Sequence, residues 1–182
     1  FASDRFFPTP KAPPASTRPA GQAAVPAVDT SPAAAGREVL RERGRVLAET
    51  PRVAIDTPKL AGSINLRGAR IDDLVLKTYR ETLAKNAPPV RLLSPTGSQD
   101  AHYAVFGWTG DGVDTPGQNS IWTADGGKLT PSRPVTLSWT NQRGQRFDII
   151  VAIDADYMFT ITQKVSNRSV GAIAVRPYGT IV

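Results

Sequence analysis

The sequence predicts an all-β fold, an antiparallel β-sandwich, and three features indicate it. Apolar residues recur at every second position in several segments, which is the period of a strand with one buried face. Turn-forming residues, chiefly Gly, Pro, Asn and Asp, separate these segments at short intervals. From Val135 onward the segments follow one another with short connections only, as in a meander packed on one face.

The beginning of the chain differs in composition from the rest. Pro and Ala dominate residues 8–36, which hold almost no large apolar side chains. Such a segment cannot bury enough surface to offset the entropy of ordering it. Residues 1–36 are therefore predicted to be a flexible linker and residues 37–182 a β-sandwich domain. Phe6 and Phe7 suit the interfacial end of a membrane helix lying upstream, or a frayed terminus.

The domain is predicted to begin with a helix and then strands. Residues 37–49 favour a short helix followed by a strand, because Gly44 interrupts the helical pattern. Alternating apolar residues predict strands over residues 53–56 and 60–66. Arg67-Gly68 supplies the turn after them, since Gly accepts a positive φ without strain.

The next strand carries two adjacent acids. Ile71 cannot share a face with Leu74 and Leu76 in a flat strand, because strand side chains alternate. Asp72-Asp73 is therefore predicted to be a β-bulge, which adds one residue and switches the face.

The middle of the chain is less regular. Residues 80–89 form a polar loop ending in two prolines, and short strands are predicted over residues 90–94 and 103–108. Residues 109–134 are predicted to be a long loop, which in a compact domain is either functional or mobile. This loop carries Trp122, the tryptophan expected to be exposed.

The last third of the domain is predicted to be a meander. Strands are expected over residues 135–139, 147–153 and 157–165, with turns at residues 141–145 and 154–156 between them. Ile173, Val175 and the final YGTIV are expected to form one more adjacent strand.

Charge and composition limit the partners. Of the net charge of +6, residues 37–91 carry +5, from twelve Lys and Arg against seven acids. This excess suits a surface facing an anionic membrane or nucleic acid, and equally an ordinary solvated face. Nucleic acid is not expected, because no aromatic side chains are interleaved among the arginines to stack on bases. The chain has no cysteine, which excludes disulfides and cysteine nucleophiles, and no apolar run long enough to span a bilayer.

Candidate catalytic and metal-binding residues are few. His102 is the only histidine, and a surface or strand-edge role is expected for it. Asp72 with Asp73 and Asp154 with Asp156 could form general acid–base pairs, but a bulge and a turn explain them as well. Three loop acids could bind calcium, although their spacing does not fit the calcium-loop pattern: Asp111, Asp114 and Asp125.

Other short motifs are equally weak. Trp108, Trp122 and Trp139 could stack on sugar rings, although Trp139 lies at a core position of its strand. Asn167-Arg168-Ser169 matches a glycosylation acceptor. We therefore predict no catalytic, cofactor-binding or metal-binding residues, no cofactor, and a protein that is not an enzyme.

A series of motifs nevertheless resembles one family. RVAIDTPKLAGSINLRGARIDDLVLKTYRE is followed in order by VRLLSP, YAVFGW, VTLSW, the strand over residues 146–153, Asp156-Tyr157, Val165-Ser166-Asn167 and Pro177-Tyr178-Gly179. This order resembles the first part of the periplasmic domain of the YidC family of membrane protein insertases. The resemblance covers residues 45–182, and the Pro/Ala segment resembles the linker that leaves the family's first membrane helix.

The resemblance implies a function and a location. It implies a multi-pass insertase of the inner membrane that inserts and folds membrane proteins, alone or with the Sec translocon. Its periplasmic domain would be a β-supersandwich similar to galactose mutarotases, continuing past residue 182 and leaving the last strand here with an unpaired edge. Expected partners are Sec translocon components, nascent membrane proteins and an anionic membrane surface. The alternative is a carbohydrate-binding or sugar-modifying β-sandwich, although one His and no Glu after Glu81 disfavour sugar catalysis.

Overall fold

The computed structural model describes residues 40–182. The linker predicted over residues 1–36 lies outside the described residues. In the described part, the only helix is α1, Arg43–Ala48, and no helix is long and apolar enough to cross a membrane. The strands, in chain order, are β1 (Arg52–Asp56), β2 (Leu60–Asn65), β3 (Arg70–Arg80), β4 (Pro89–Leu93), β5 (Ala104–Thr109), β6 (Thr123–Asp125), β7 (Lys128–Leu129), β8 (Val135–Thr140), β9 (Gln145–Ile153), β10 (Phe159–Asn167) and β11 (Arg176–Ile181).

Helix α1 begins at a side-chain cap. The carboxylate of Glu42 accepts hydrogen bonds from the backbone N–H groups of Gly44 at 2.8 Å and Arg45 at 3.0 Å. These two bonds lower the pKa of Glu42 and satisfy donors that a helix start leaves unpaired. Residues 37–49 do contain a short helix, but it spans Arg43–Ala48, where the strand was expected, so the predicted strand after Gly44 is wrong. The Glu42 cap draws Gly44 and the residues after it into the helix.

The first sheet has seven strands in the order β11-β5-β3-β2-β1-β7, with β4 also paired to β3. All its pairings are antiparallel except the short parallel one between β1 and β7. The predicted bulge is confirmed. Ser63 pairs with Asp73 and Ile64 with Ile71, so Asp72 is the extra residue on β3.

The second sheet has the order β10-β9-β8-β6 and is antiparallel throughout. The predicted meander is therefore confirmed for β8, β9 and β10. The prediction fails for the last strand, which does not follow β10 but crosses to the first sheet and pairs with β5. The prediction of a loop without strands over residues 109–134 is also wrong. This segment contains β6 and β7, which are too short to show a two-residue period in the sequence.

One core lies between the two sheets, which confirms the predicted sandwich. The edge of Phe147 on β9 meets Trp108 on β5, with ring centroids 5.2 Å apart. Trp139 is half-buried and packs on Phe147 at 5.8 Å, as its position in the strand predicted. Both sheets contribute fully buried side chains to this core, among them Leu60, Ile64, Leu129, Val135, Leu137, Ile149 and Val151.

Strand β11 lies at one end of the first sheet. Of the strands in residues 40–182, it pairs only with β5, so one backbone edge has no strand beside it. All six of its residues are exposed. The unpaired edge predicted for the last strand is thus present in the described part of the chain.

A candidate binding cleft beside the edge strand

An aromatic cleft of about 160 Å³ lies where β3, β5 and β11 meet the loop before β6. Its lining comprises Gly68, Arg70, Tyr103, Val105, Phe106, Pro116, Gly117, Gln118, Trp122, Tyr178, Thr180 and Val182. Small-molecule sites typically enclose about 300–1,000 Å³. The aromatic cleft is therefore sized for a single side chain or another short group.

The pairing of the strands determines which residues form the floor of the cleft. Val105 on β5 is the cross-strand partner of Thr180 on β11 and of Arg70 on β3. Cross-strand partners project from the same face of a sheet. Tyr103 lies two positions before Val105, on that same face, and exchanges backbone hydrogen bonds of 3.0 and 2.9 Å with Val182. The pairing of β5 with β11 thus brings together residues far apart in sequence.

Gly68 brings the covering loop close to the sheet. Its φ is 74°, a left-handed value that favours glycine, and its N–H donates to the carbonyl oxygen of Ser120 at 2.8 Å. A Cβ at this position would lie 2.6 Å from the carbonyl oxygen of Gln118. Only glycine lets the loop approach this closely, so Gly68 sets the wall of the cleft opposite β11.

Gly107 supports the other wall. A Cβ on Gly107 would lie 2.7 Å from the hydroxyl oxygen of Tyr178, its cross-strand partner. The side chain of Tyr178 therefore lies over the bare backbone of β5 and forms a wall of the cleft, although the residue as a whole is 42% exposed.

The cleft is cationic. The guanidinium of Arg70 lies 5.6 Å from the ring centroid of Tyr103, a cation–π distance. No carboxylate in residues 40–182 forms an ion pair with Arg70, and its buried Nε has no acceptor there. The buried indole N–H of Trp122 also lacks an acceptor within these residues. A positive group beside aromatic walls suits a ligand that carries a carboxylate or carbonyl oxygen.

The acid pair Asp72 and Asp73 has a structural role at the bulge. Asp72 is ion-paired with Arg52, and their side chains are 2% and 10% exposed. Asp73 is ion-paired with Arg43 of α1, and the Ser63 hydroxyl also donates to it at 2.5 Å. Both carboxylates are occupied by arginine, so this network ties α1 to the first sheet and presents no free acid to a substrate.

The second acid pair lies in a turn, as expected. Asp154 accepts from the backbone N–H groups of Asp156 and Met158, both at 2.9 Å. Asp156 is ion-paired with Lys59 across the structure. His102 is exposed and pairs through its backbone with Ser94, which confirms the strand-edge role.

The remaining sequence candidates do not converge on a site. Within residues 40–182, no group of three or more His, Cys, Asp or Glu side chains is placed to hold a metal ion, and Asp111, Asp114 and Asp125 are all exposed. The expectation of an exposed Trp122 is wrong. It is 3% exposed and stacks on Trp108 with centroids 6.5 Å apart. Asn167 bonds locally to Gly171 and Ser169.

Sequence reasoning missed Arg70, Tyr103 and Tyr178 as a group. Nothing in their spacing joins them, because they meet only once β11 crosses to β5. One clue was available in the sequence. Gly68 lies two residues before Arg70, and a glycine can mark a place where two backbone segments approach closely.

The fold and the cleft define a class: an all-β sandwich domain that offers a small cationic, aromatic cleft lined by β3, β5 and β11. Comparison with known families identifies it further. The family model of the YidC periplasmic domain matches residues 52–182, and the chain belongs to this family.

Curated relatives agree with the family match. The chain is 44% identical over 174 residues to the membrane protein insertase YidC of Methylobacterium radiotolerans, covering 95% of this chain and 28% of that protein. It is 46% identical over 143 residues to the protein of the same name from Zymomonas mobilis, covering 79% and 25%. It is 53% identical over 125 residues to the membrane protein insertase YidC of Ruegeria sp., and this match covers 66% of this chain and 21% of that protein. The chain thus spans about a quarter of the length of these relatives.

Proposed function

We propose that this chain is the periplasmic part of an inner-membrane insertase that inserts and folds membrane proteins, alone or with the Sec translocon. The family match over residues 52–182 and the name shared by the curated relatives support this proposal. On this proposal residues 37–182 are the domain, residues 1–36 link it to a membrane helix, and no chemistry is carried out in it.

Within this function, the role of the domain is to hold extended segments of nascent membrane proteins or of partner proteins. The observation that carries this role is the aromatic cleft, whose lining includes Arg70, a base without an ion pair in the described residues. An extended peptide that lies across the cleft can place one of its side chains in it. The volume of about 160 Å³ admits one side chain, and Arg70 favours an acidic one.

Peptide binding in solution tests this role. The probe is a fluorescent extended peptide with alternating apolar residues and one central Glu, compared with the same peptide carrying Gln. Fluorescence anisotropy should show about tenfold weaker binding to Arg70→Gln than to the unchanged chain, because a charge-assisted hydrogen bond is lost. Arg91→Gln, which removes an exposed base of β4 outside the cleft, is the matched control and should bind as before.

The Glu and Gln peptides, each measured with the unchanged chain and with Arg70→Gln, form a double-mutant cycle. The Gln peptide should bind the unchanged chain and Arg70→Gln equally well, which assigns the lost affinity to the Arg70–carboxylate contact. Equal loss with both peptides would show that Arg70 acts only on the fold. An oligosaccharide that raises the melting temperature in a dose-dependent way, with no peptide effect, would support a carbohydrate-binding domain instead.

A further inference from the structure

The hairpin formed by β3 and β4 extends beyond the sheet. At Lys77 the backbone N–H still bonds to the carbonyl oxygen of Lys59, at 2.8 Å, and Leu76 still pairs with Leu60. After Lys77, β3 pairs with β4 alone among the described strands, through the pair Arg80–Pro89. We name residues 78–91 the β3–β4 arm. Up to Pro89 it is a two-stranded ribbon with no third strand beside it in the described part, and Arg91 lies at its base opposite Val75.

The arm exposes apolar side chains where a folded domain normally hides them. Leu83 in its loop is fully exposed, at 107% of the reference area, and Tyr79 on β3 is 56% exposed. Neither side chain lines the aromatic cleft. The fully exposed side chain of Leu83 protrudes from the domain, so it can insert into a partner or a lipid layer.

The net charge of the arm is positive. It holds three bases and one acid, and the acid, Glu81, is ion-paired with Arg91 at 3.3 Å. The other two bases, Arg80 and Lys85, form no ion pair with residues 40–182. They flank Leu83 at distances of three and two positions in sequence. Two bases without an ion pair in the described part therefore lie within three positions of an exposed leucine in sequence.

We propose that the β3–β4 arm binds an anionic lipid bilayer, with Leu83 entering the headgroup region and Arg80 and Lys85 contacting lipid phosphates. Basic residues next to a membrane are attracted by its negative surface potential, and Tyr and Leu favour the interface. A protein partner would need a groove for the tip, whereas a bilayer adapts to a convex apolar residue. This inference does not depend on the aromatic cleft, because no residue of the arm lines it.

A single-site label tests the contact, since the chain contains no cysteine. Leu83→Cys carries an environment-sensitive nitrobenzoxadiazole dye. Val170→Cys, equally exposed at 105% but outside the arm, carries the same dye as the control. With vesicles of equimolar phosphatidylglycerol and phosphatidylcholine, the dye at position 83 should brighten and shift to the blue, and the dye at position 170 should not change. Vesicles of phosphatidylcholine alone should give no response at either position.

Charge removal then tests the role of the bases. Arg80→Ala with Lys85→Ala should weaken partition to the anionic vesicles about tenfold or more. The matched control, Arg133→Ala with Arg168→Ala, removes two exposed bases elsewhere and should change partition less than about twofold. Added salt should weaken binding of the unchanged chain, because exposed charges are screened. Equal responses at positions 83 and 170, equal effects of the two double variants, or binding only to an acidic protein would each overturn the proposal.

Discussion

Replacing Asp72 by Asn tests the account of the bulge network most directly. Asp72 is the extra residue of the bulge, and its side chain is only 2% exposed. It accepts from the guanidinium of Arg52 and from the side-chain amide of Asn65 at 3.2 Å. Asn keeps the size and one acceptor oxygen but removes the negative charge. The change therefore isolates the electrostatic part of the interaction.

The expected loss of stability depends on the charge of Arg52, which stays buried when Asp72 is replaced. The side chain of Arg52 is 10% exposed, and its Nη1 already has no acceptor in the described part. Without Asp72, its positive charge has no carboxylate beside it, and breaking such a buried pair costs about 3–5 kcal/mol. For a chain of this length, that corresponds to a melting temperature lower by about 6–20 °C. The exposed pair Arg41–Glu49 is the control, because surface pairs contribute about 0–1 kcal/mol.

The assay is urea denaturation of the unchanged chain, Asp72→Asn, Arg52→Met, the double variant and the control Glu49→Gln. Each single change at the buried pair should lower the free energy of unfolding several-fold more than Glu49→Gln does. The double variant carries no unpaired buried charge and should be more stable than either single one. A loss below about 1 kcal/mol for Asp72→Asn would refute the reasoning, and so would a double variant as unstable as the sum of the singles.

Two further predictions concern backbone contact and pH. Gly62→Ala should destabilise the fold by about 3 kcal/mol or more by denaturant melting, because its Cβ would lie 2.0 Å from the carbonyl oxygen of Asp73. Gly127→Ala, where a Cβ meets nothing within 4 Å, should change the free energy of unfolding little, and similar losses for both would contradict the clash. The pKa of Asp56 lies below its ordinary value of 3.8, chiefly because Lys77 donates a hydrogen bond to it. The stabilisation of the folded chain by ionised Asp56 is therefore fully present above about pH 4 and is lost as the pH falls through the lowered pKa. The difference in melting temperature between the unchanged chain and Asp56→Asn should accordingly shrink on acidification and vanish at low pH. A constant difference across that range would show that Asp56 acts through packing.

Short-range patterns in the sequence predicted most of the first sheet and the meander. The bulge at Asp72 could be located because a change of face needs one extra residue, whatever the tertiary structure. The alternation of Phe147, Ile149 and Val151 likewise identifies a buried face without knowledge of its partner sheet. These predictions rest on local geometry alone.

The predictions that failed depend on contacts distant in sequence. Strand β11 was expected beside β10, but it pairs with β5, and nothing within residues 176–181 specifies that partner. Trp122 was expected to be exposed in a loop, yet it stacks on Trp108 in the core. The cleft could not be predicted for the same reason, because Arg70 and Tyr178 share it only through the pairing of β5 with β11.

The crossing of β11 has a consequence for the order of folding. Strands β8, β9 and β10 are neighbours in sequence and can pair as soon as they are synthesised, because closing short loops costs little entropy. Strand β5 can pair with β3 early, but its other edge must wait for residues 176–181, which are made after all of these strands. A nascent chain would therefore acquire its hydrophobic interior before its cleft. A chain that ends before Arg176 would therefore keep the pairing of β8, β9 and β10 but would lack the wall of the cleft that β11 provides.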